Sequence, residues 1–194
     1  MSSDDNQGRI IIFSAPSGAG KSTIIRHLLG VFPRLELSVS ATSRPPRGEE
    51  RDGVNYHFLS PEQFRQGVER GDFVEWEEVY NGAFYGTLHS ELERIHRCGH
   101  IIVFDIDVKG GVRLKRLFGE QALSIFIMPP SVETLRERLV RRGEDSLGDI
   151  DERVAKACAE IAVAPQFDCV LCNDSLADAL SAAEKVVSEF IERD

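Results

Sequence analysis

The sequence predicts an α/β fold in which a parallel β-sheet core is flanked by helices on both faces. Short apolar runs, each of a length suited to a fully buried strand, alternate with amphipathic helical segments over most of the chain. Residues 37–89 break this alternation, because they are rich in aromatic residues, turns and strand-like segments. This stretch therefore predicts a mixed α+β subdomain inserted into the core.

The first elements follow from apolar runs and glycine positions. Residues 9–14 form a short apolar run that predicts a buried strand, and a glycine-rich turn comes next. The amphipathic pattern of residues 22–29 predicts a helix that ends at Gly30. Residues 35–42 predict a strand, and the charged, Pro- and Gly-rich residues 44–53 predict a loop.

The middle of the chain carries clear capping and turn signals. Ser60-Pro-Glu-Gln63 is a capping box with proline at the first helical position, and it predicts a helix that ends at Gly71. Residues 73–80 are strand-like and are followed by Asn81-Gly82, a dipeptide typical of hairpins. Residues 88–97 then predict another helix.

The second half returns to regular alternation. Residues 101–106 and 123–128 are apolar runs that predict two further buried strands. Ser131 is a capping residue for the helix that follows it. The remaining predicted elements, in chain order, are helices over residues 132–142 and 149–164, a strand over 167–172 and a helix over 176–191.

Composition narrows the possible classes of function. The 194 residues suffice for one domain with a substantial core, and 23 basic against 32 acidic side chains give a net charge of −9. This acidic balance argues against binding to a nucleic acid polymer. No apolar run approaches the roughly 20 residues of a membrane-spanning helix, so no membrane contact is predicted. The polar residues 1–8 predict a flexible tail rather than a secretory signal.

The four cysteines do not form the pattern of a disulfide framework, and they favour a reducing, cytoplasmic compartment. Cys169 and Cys172 have C-x-x-C spacing, but no second pair of ligands lies at a spacing suited to zinc. We therefore interpret these two cysteines as residues of a buried strand.

A glycine-rich turn after the first strand has the spacing of a phosphate-binding loop, or P-loop. Ala15-Pro-Ser-Gly-Ala-Gly20-Lys21-Ser22 fits G-x-x-x-x-G-K-[ST], except that Ala15 stands at the first glycine. Backbone N–H groups and the start of the following helix favour a phosphate there, Lys21 supplies a positive charge, and the Ser22 hydroxyl suits Mg²⁺. The alternative is a plain turn. The predicted nucleotide contacts are Ala15, Pro16, Ser17, Gly18, Ala19, Gly20, Lys21, Ser22 and Thr23.

A second candidate phosphate site lies in the charged loop. Arg44 and Arg47 flank Pro-Pro, which holds the chain extended, and arginine forks bind phosphate through two hydrogen bonds. The same residues fit a solvated loop in which the arginines pair with Glu49, Glu50 or Asp52. The loop alone leaves both interpretations open.

The order of short motifs resembles that of the guanylate kinase family from about residue 9 to 190. After the phosphate loop, the motifs that carry the resemblance are Ser40-x-x-x-Arg44-x-x-Arg47-Gly-Glu, Asp52-Gly-x-x-Tyr56-x-Phe58, Phe73-x-Glu75-Trp76, Tyr85-Gly86-Thr87 and Asp105-Ile-Asp107. The resemblance implies a core of residues 9–36, 90–128 and 155–190, a GMP-binding subdomain of about 37–89, and a small helical lid of about 129–154 that turns at 143–148.

The resemblance also implies roles for individual residues of the subdomain. Arg44, Arg47, Tyr56 and Tyr85 match positions that hold the GMP phosphate; Ser40, Glu75 and Thr87 match positions that read guanine; and Asp107 matches a further GMP contact. The chemistry is consistent, because a carboxylate can accept hydrogen bonds from the N1–H and N2–H groups of guanine. Adenine has no donor at N1 and would leave Glu75 unpaired.

Two carboxylates end the strand predicted at residues 101–106. If the strand continues through both, alternation directs Asp105 and Asp107 to the same side, at the sheet edge where such folds bind ligands. Asp105 could hold Mg²⁺ through water, together with Ser22. The alternative for Asp107 is the cap of a helix that begins near Lys109.

The helix predicted at residues 132–142 carries four arginines. Glu133 can pair with Arg136, and Glu137 with Arg141, which leaves Arg138 and Arg142 one turn apart without partners. An anion between the two would explain this arrangement, whereas a solvated basic face is the alternative. By the resemblance, Arg138, Arg142 and Arg153 reach the transferring phosphate, and Asn173 lies beside adenine; Asp149 is an alternative partner for Arg153.

The predicted activity is the transfer of the γ-phosphate of ATP to GMP, and to dGMP, with Mg²⁺ as cofactor and Lys21, Arg44, Arg138, Arg142 and Arg153 as catalytic residues. The substrates are the predicted partners, and no oligomeric state is predicted. One alternative is a non-catalytic guanylate-kinase-like module that binds proteins. Another is a kinase for a different nucleoside monophosphate, against which Ser40, Glu75 and Thr87 argue.

Overall fold

The computed structural model describes residues 8–78, 82–142 and 147–193. The predicted tail up to residue 7, Asn81 of the predicted hairpin turn and residues 143–146 of the predicted lid turn lie outside this part of the chain. In chain order the strands are β1 (Ile10–Ser14), β2 (Leu35–Leu37), β3 (Ala41–Thr42), β4 (His57–Phe58), β5 (Phe73–Glu78), β6 (Phe84–Leu88), β7 (Ile101–Asp105), β8 (Ala122–Met128) and β9 (Cys169–Cys172). The helices are α1 (Lys21–Val31), α2 (Pro61–Arg70), α3 (His89–Arg97), α4 (Val108–Phe118), α5 (Val132–Arg142), α6 (Leu147–Ile161) and α7 (Leu176–Ile191).

The larger sheet is parallel and has the order β2-β7-β1-β8-β9. Alternate side chains of its central strand enter different parts of the core. Ile11 and Phe13 pack in a cluster with residues of α1, α5 and α7. Ile10 and Ile12 pack in a second cluster with residues of α3 and α4. Both faces of the strand are therefore buried, which explains the unbroken apolar run, and the predicted α/β class is confirmed.

A smaller sheet of mixed direction has the order β4-β3-β6-β5. Phe64 of α2 stacks against Phe73 and Phe84, with ring centroids 4.3 Å and 5.5 Å away. At Gly86 a side chain would place its Cβ 2.7 Å from the Glu75 carbonyl oxygen. The close contact between β5 and β6 at this point therefore requires glycine. This sheet falls within the stretch predicted to be an inserted subdomain, whose bounds stay a prediction.

The strand predicted over residues 35–42 is wrong as a single element. It divides into β2, which pairs with β7 in the parallel sheet, and β3, which pairs with β4 and β6 in the smaller one. The intervening residues 38–40 cross between the two sheets. Strand propensity carries no information about which sheet a residue joins, so the pattern predicts one strand where the chain forms two.

The helix predicted to end at Gly30 continues to Val31. No heavy atom lies within 4 Å of the position where a Cβ of residue 30 would be, so this glycine is exposed and makes no close contact. One glycine in place of alanine lowers the stability of a helix by only about 1 kcal/mol. The packed residues Ile24, Ile25 and Leu28 therefore determine the extent of α1.

Later elements differ from prediction mainly at their ends. Residues 164–166, predicted partly as the end of a helix, form a short 3-10 turn, and β9 begins only at Cys169. The two cysteines of β9 lie in a strand, as predicted, but Cys172 is exposed because β9 is an edge strand. None of the helices described is long and apolar enough to cross a bilayer.

Candidate functional site

A cleft of about 1000 Å³ opens at the carboxyl ends of β1 and β7. Five parts of the chain line it: the loop after β1, the segment between β2 and β3, the loop before β4, the end of β7 with the residues that follow it, and the facing sides of α5 and α6. The predicted site residues in the lining are Ala15, Pro16, Ser17, Gly18, Gly20, Lys21, Ser22, Thr23, Ser40, Tyr56, Asp105, Asp107, Arg138 and Arg153. Sites of this kind are typical of the carboxyl edge of a parallel sheet.

The loop after β1 has the backbone conformation that its glycines permit. Gly18 and Gly20 have φ angles of +88° and +97°, which residues with a side chain rarely adopt. Gly20 precedes α1 and provides no side-chain cap, so the first N–H groups of that helix keep their capacity for another acceptor. A helix start of this kind favours an anion.

Lys21 is paired within the cleft. Its Nζ lies 2.5 Å from the Asp105 carboxylate and donates to the Ile106 carbonyl oxygen at 3.0 Å. The pair joins the start of α1 to the end of β7. A phosphate bound here would compete with Asp105 for the lysine.

Asp107 does not belong to a strand, so the expectation that alternation directs it like Asp105 is wrong. β7 ends at Asp105, and Asp107 caps α4 by accepting a hydrogen bond from the Gly110 N–H at 2.7 Å. The capping alternative is therefore correct. Asp107 nevertheless lines the cleft together with Asp105.

The oxygen donors of Ser22 and Asp105 line the same cleft and fit Mg²⁺, which prefers hard oxygen ligands. Within the described chain no cluster of three or more His, Cys, Asp or Glu side chains is placed to enclose a metal. This small set of donors suits an ion that takes its other ligands from substrate phosphates and water.

Arg44 is held between aromatic rings and a carboxylate. Its guanidinium donates to both oxygens of Glu50 at 2.6 Å and 2.8 Å and to the Tyr85 hydroxyl at 3.0 Å, and it lies 4.8 Å from the centre of the Tyr56 ring. Only 10% of the Arg44 side chain is exposed. The pairing alternative is confirmed for Arg44, which pairs with Glu50. Phosphate binding by Arg44 stays a prediction, and the guanidinium contacts the two tyrosines predicted to share that ligand.

The role of Glu50 is not apparent from the sequence, which offers Glu49, Glu50 and Asp52 equally as partners of the arginines. Hydrogen bonds from Arg44 and from the Arg47 N–H lower its pKa to about 2. It therefore stays ionised and holds the loop around Arg44. The Arg47 side chain itself is exposed.

Glu75 and Thr87 form a hydrogen-bonded pair across β5 and β6. The Thr87 hydroxyl donates to Glu75 Oε1 at 3.0 Å, and only 10% of the Glu75 side chain is exposed. Burial raises the pKa of this carboxyl, whereas the Thr87 hydroxyl and Arg113 act in the opposite direction. Glu75 lines a smaller groove between β5 and α4, and it interacts electrostatically with Asp107 of the main cleft.

The helices α5 and α6 direct basic side chains towards the loop. Arg138 donates to the Asn173 carbonyl oxygen at 2.9 Å, and Arg153 donates to the Ser17 hydroxyl at 3.1 Å. Arg141 also lines the cleft, although the sequence predicts only a pair with Glu137. The side chain of Arg142 lies outside the described part.

The ion pair predicted between Glu133 and Arg136 within α5 is wrong. Arg136 pairs with Asp151 of α6 rather than with Glu133 of its own helix. The pair joins the two helices, and this cross-helix partner was not visible in helical spacing.

Asn173 lies behind the phosphate loop. Its side chain is buried, and its Nδ2 donates to the Ala19 carbonyl oxygen at 2.8 Å. The contact stabilises the loop from its buried side. Contact with adenine stays a prediction.

The lining is not uniformly cationic, since five basic and five acidic residues belong to its described part. The basic ones are Lys21, Arg138, Arg141, Arg153 and Lys156, and the acidic ones are Asp105, Asp107, Asp149, Glu152 and Glu160. Phosphates bound in the cleft would therefore displace carboxylates from their basic partners, as at Lys21 and Asp105.

A parallel sheet, a glycine-rich loop that ends in Gly20-Lys21-Ser22 and basic helices over the same cleft define the class of P-loop phosphotransferases. The sequence model of the guanylate kinase family matches residues 7–190. The chain therefore belongs to the guanylate kinase family.

Individual relatives agree with this assignment. The chain is 51% identical to a guanylate kinase of Bacteroides fragilis, over 95% of this chain and 91% of that protein. It is 50% identical to one of Porphyromonas gingivalis, over 94% of this chain and 98% of that protein. The crystal structure of guanylate kinase from Anaplasma phagocytophilum matches with a TM-score of 0.74 at 27% identity, covering 99% of this chain and 90% of that one.

Proposed function

We propose that this chain transfers the γ-phosphate of ATP to GMP, and to dGMP, and so serves purine nucleotide metabolism. The observation that carries the proposal is that one cleft connects a phosphate-binding loop to Ser40 and Tyr56 of the GMP-specific motifs. Family membership supports the same activity. The four cysteines are unpaired, and we infer the reducing cytoplasm as the compartment.

ATP binds through the loop after β1 in this proposal. Residues 15–23 hold its phosphates through the backbone N–H groups of the loop, other than at Pro16, and through the start of α1. Lys21 exchanges Asp105 for phosphate oxygens. Asn173 supports the loop from behind through Ala19 and lies beside adenine. Ser22 and Asp105 would hold Mg²⁺, which would supply positive charge for the transferring group.

GMP binds on the side of the smaller sheet. Its phosphate takes the place of Glu50 at Arg44, with further hydrogen bonds from Arg47, Tyr56 and Tyr85. The planar guanidinium of arginine binds phosphate well because it donates two parallel hydrogen bonds to it. The guanine base contacts Ser40, Glu75, Thr87 and Asp107.

The reaction is an in-line displacement. A phosphate oxygen of GMP attacks the γ-phosphorus, a new P–O bond forms, and the bond to the β-phosphate oxygen breaks as ADP leaves. Lys21, Arg44, Arg138, Arg142 and Arg153 stabilise the charge on the transferring group, so catalysis depends on positioning and electrostatics. Closure of α5 and α6 over the cleft excludes water and prevents hydrolysis of ATP.

The substrate assignment is tested by measuring ADP release in a coupled assay with GMP, dGMP, AMP and dTMP in turn, each with ATP and Mg²⁺. We expect turnover with GMP and dGMP, and a kcat/KM for AMP lower by roughly 10⁴-fold, because AMP leaves Glu75 unpaired. Turnover with AMP but not GMP would overturn the assignment. GMP binding without turnover would instead favour a non-catalytic guanylate-kinase-like module that binds proteins.

A further inference from the structure

Arg113 connects a helix of the core to the strand that carries the proposed guanine-reading carboxylate. It lies in α4, and its Nη2 is 2.6 Å from Glu77 and 3.4 Å from Glu75, both in β5. The Glu75 side chain is 10% exposed, Glu77 is 23% exposed and Arg113 is 43% exposed. The guanidinium thus lies at the opening of the groove, where it pairs closely with Glu77 and also approaches the more buried Glu75 carboxylate.

The surroundings of Glu75 disfavour a negative charge. Burial raises its pKa most strongly, and the nearby charge of Asp107, at the start of α4, acts in the same direction. Glu77, two residues beyond Glu75 on the same face of β5, places another carboxylate nearby. Among the described groups that act on Glu75, the Thr87 hydroxyl of β6 and the Arg113 guanidinium of α4 favour the ionised form.

We propose that Arg113 is a positioning residue for base recognition, which keeps Glu75 ionised and oriented as a hydrogen-bond acceptor for guanine. The inference rests on the proposed function. Guanine presents two adjacent donors, and a carboxylate can accept from both, whereas a protonated carboxyl would direct its own O–H at one of them. Arg113 acts through Glu75.

Glu77 gives the guanidinium its fixed place. The closer ion pair holds Nη2 near both carboxylates, so that Arg113 partly offsets their negative charge and joins α4 to β5. Thr87 already occupies Oε1 of Glu75, and Arg113 approaches Oε2. Both oxygens therefore have defined neighbours, which fixes the plane of the carboxylate.

The experiment compares three variants of the full chain with the unmodified protein. Arg113→Gln removes the charge and leaves a shorter polar side chain, whereas Arg113→Lys keeps a positive charge at this position. Arg116→Gln, on an exposed residue of the same helix, is the matched control. The kcat and the KM values for GMP and ATP are measured from pH 5.5 to 8.5, with thermal unfolding recorded for each variant.

We expect Arg113→Gln to raise the KM for GMP by roughly fivefold at neutral pH, the scale of one partly exposed ion pair. The increase should grow as the pH falls, because loss of Arg113 allows Glu75 to bind a proton at higher pH. The KM for ATP should stay constant, Arg113→Lys should restore most of the pH profile, and Arg116→Gln should match the unmodified protein.

Two results would overturn the inference. One is a pH profile of the GMP KM for Arg113→Gln that coincides with that of the unmodified protein, and the other is a parallel, pH-independent rise of both KM values, which indicates general loss of structure. Failure of the proposed function is distinguishable, since the unmodified protein would then not turn over GMP at all.

Discussion

At the scale of single residues, two proposed phosphate ligands each hold a carboxylate. Lys21 pairs with Asp105, and Arg44 pairs with Glu50. Such pairs fix long side chains in place and give each of these two partly buried cations an anionic partner. In the proposed function, binding of a nucleotide would therefore exchange one anion for another.

Replacement of Lys21 tests the first of these exchanges. We expect Lys21→Met to reduce kcat at least about 100-fold, because a charge that stabilises the transferring phosphate is lost. GMP binding, measured by calorimetry, should stay largely intact. Lys185→Met, on an exposed residue of α7, is the control and should have normal kcat. Unchanged turnover in Lys21→Met would contradict the role of this lysine.

Replacement of Glu75 tests base recognition. Glu75→Gln should raise the KM for GMP by about 10-fold to 100-fold, because a charged acceptor is replaced by an amide that presents a donor to guanine. The KM for ATP should stay unchanged. Glu78→Gln, at an exposed position two residues beyond Trp76 on the same strand, is the matched control. An equal loss of affinity for both nucleotides would contradict base recognition by Glu75.

The pH dependence of the unmodified protein follows from the same carboxylate. Burial raises the pKa of Glu75. In the proposed function GMP requires the ionised form, so affinity is present at high pH and is lost as the pH falls through this raised pKa. The KM for GMP should therefore begin to rise at a higher pH than titration of an ordinary glutamate, with a pKa of about 4.3, would produce. The Glu75→Gln variant should lack this dependence between pH 5 and 8.

Motif spacing predicts which residue types meet a phosphate, but it does not predict their protein partners. The Arg113–Glu75 contact joins residues 38 positions apart, and the Asn173–Ala19 contact joins residues 154 apart. No local pattern marks such pairs. They depend on how α4 and β9 pack against elements formed elsewhere in the chain.

At the scale of elements, the unit of β1, its loop and α1 forms the proposed phosphate site. Gly20 has a positive φ angle, and a Cβ at this position would overlap the buried Asn173 amide. Two independent constraints therefore require glycine here. Gly30, which lies within α1, has neither constraint.

The two glycines thus form a matched pair for mutation. Gly20→Ala should lower the free energy of unfolding by about 1–2 kcal/mol, because alanine is strained at positive φ, and it should weaken ATP binding. Gly30→Ala should raise the free energy of unfolding by roughly 0.5–1 kcal/mol, since alanine favours a helix. Urea unfolding and ATP titration measure both effects. Equal stability of the two variants would contradict this description of the loop.

Element types were predictable where burial on both faces leaves a simple signal. The runs at β1, β7 and β8 are apolar throughout because helices cover both sides of their sheet. The division of residues 35–42 between two sheets was not predictable. Both parts have strand-like sequence, and only tertiary pairing with β7 or with β6 distinguishes them.

At the scale of the whole molecule, the crossing between the sheets is held by a buried charge. Glu91 of α3 accepts a hydrogen bond from the Val39 N–H at 3.0 Å and pairs with Arg94 at 2.8 Å. Its side chain is only 4% exposed. The crossing segment is thereby fixed to the core while the smaller sheet extends beyond it.

Removal of this contact should destabilise the protein. Glu91→Ala leaves the Val39 N–H without its acceptor, which should lower the free energy of unfolding by about 2 kcal/mol in urea denaturation. Glu93→Ala, at an exposed position of the same helix, should change it by less than about 0.5 kcal/mol. A similar effect of both substitutions would show that the crossing does not depend on Glu91.

The central claim is that ATP and GMP occupy one continuous cleft with their phosphates end to end. A ligand in which adenosine and guanosine are joined through their 5′ oxygens by five phosphates tests it most directly by calorimetry. We expect one such molecule to bind per chain, more tightly than either nucleotide, and to exclude both GMP and ATP. Binding that leaves the GMP site or the ATP site still able to take its own nucleotide would contradict a shared cleft.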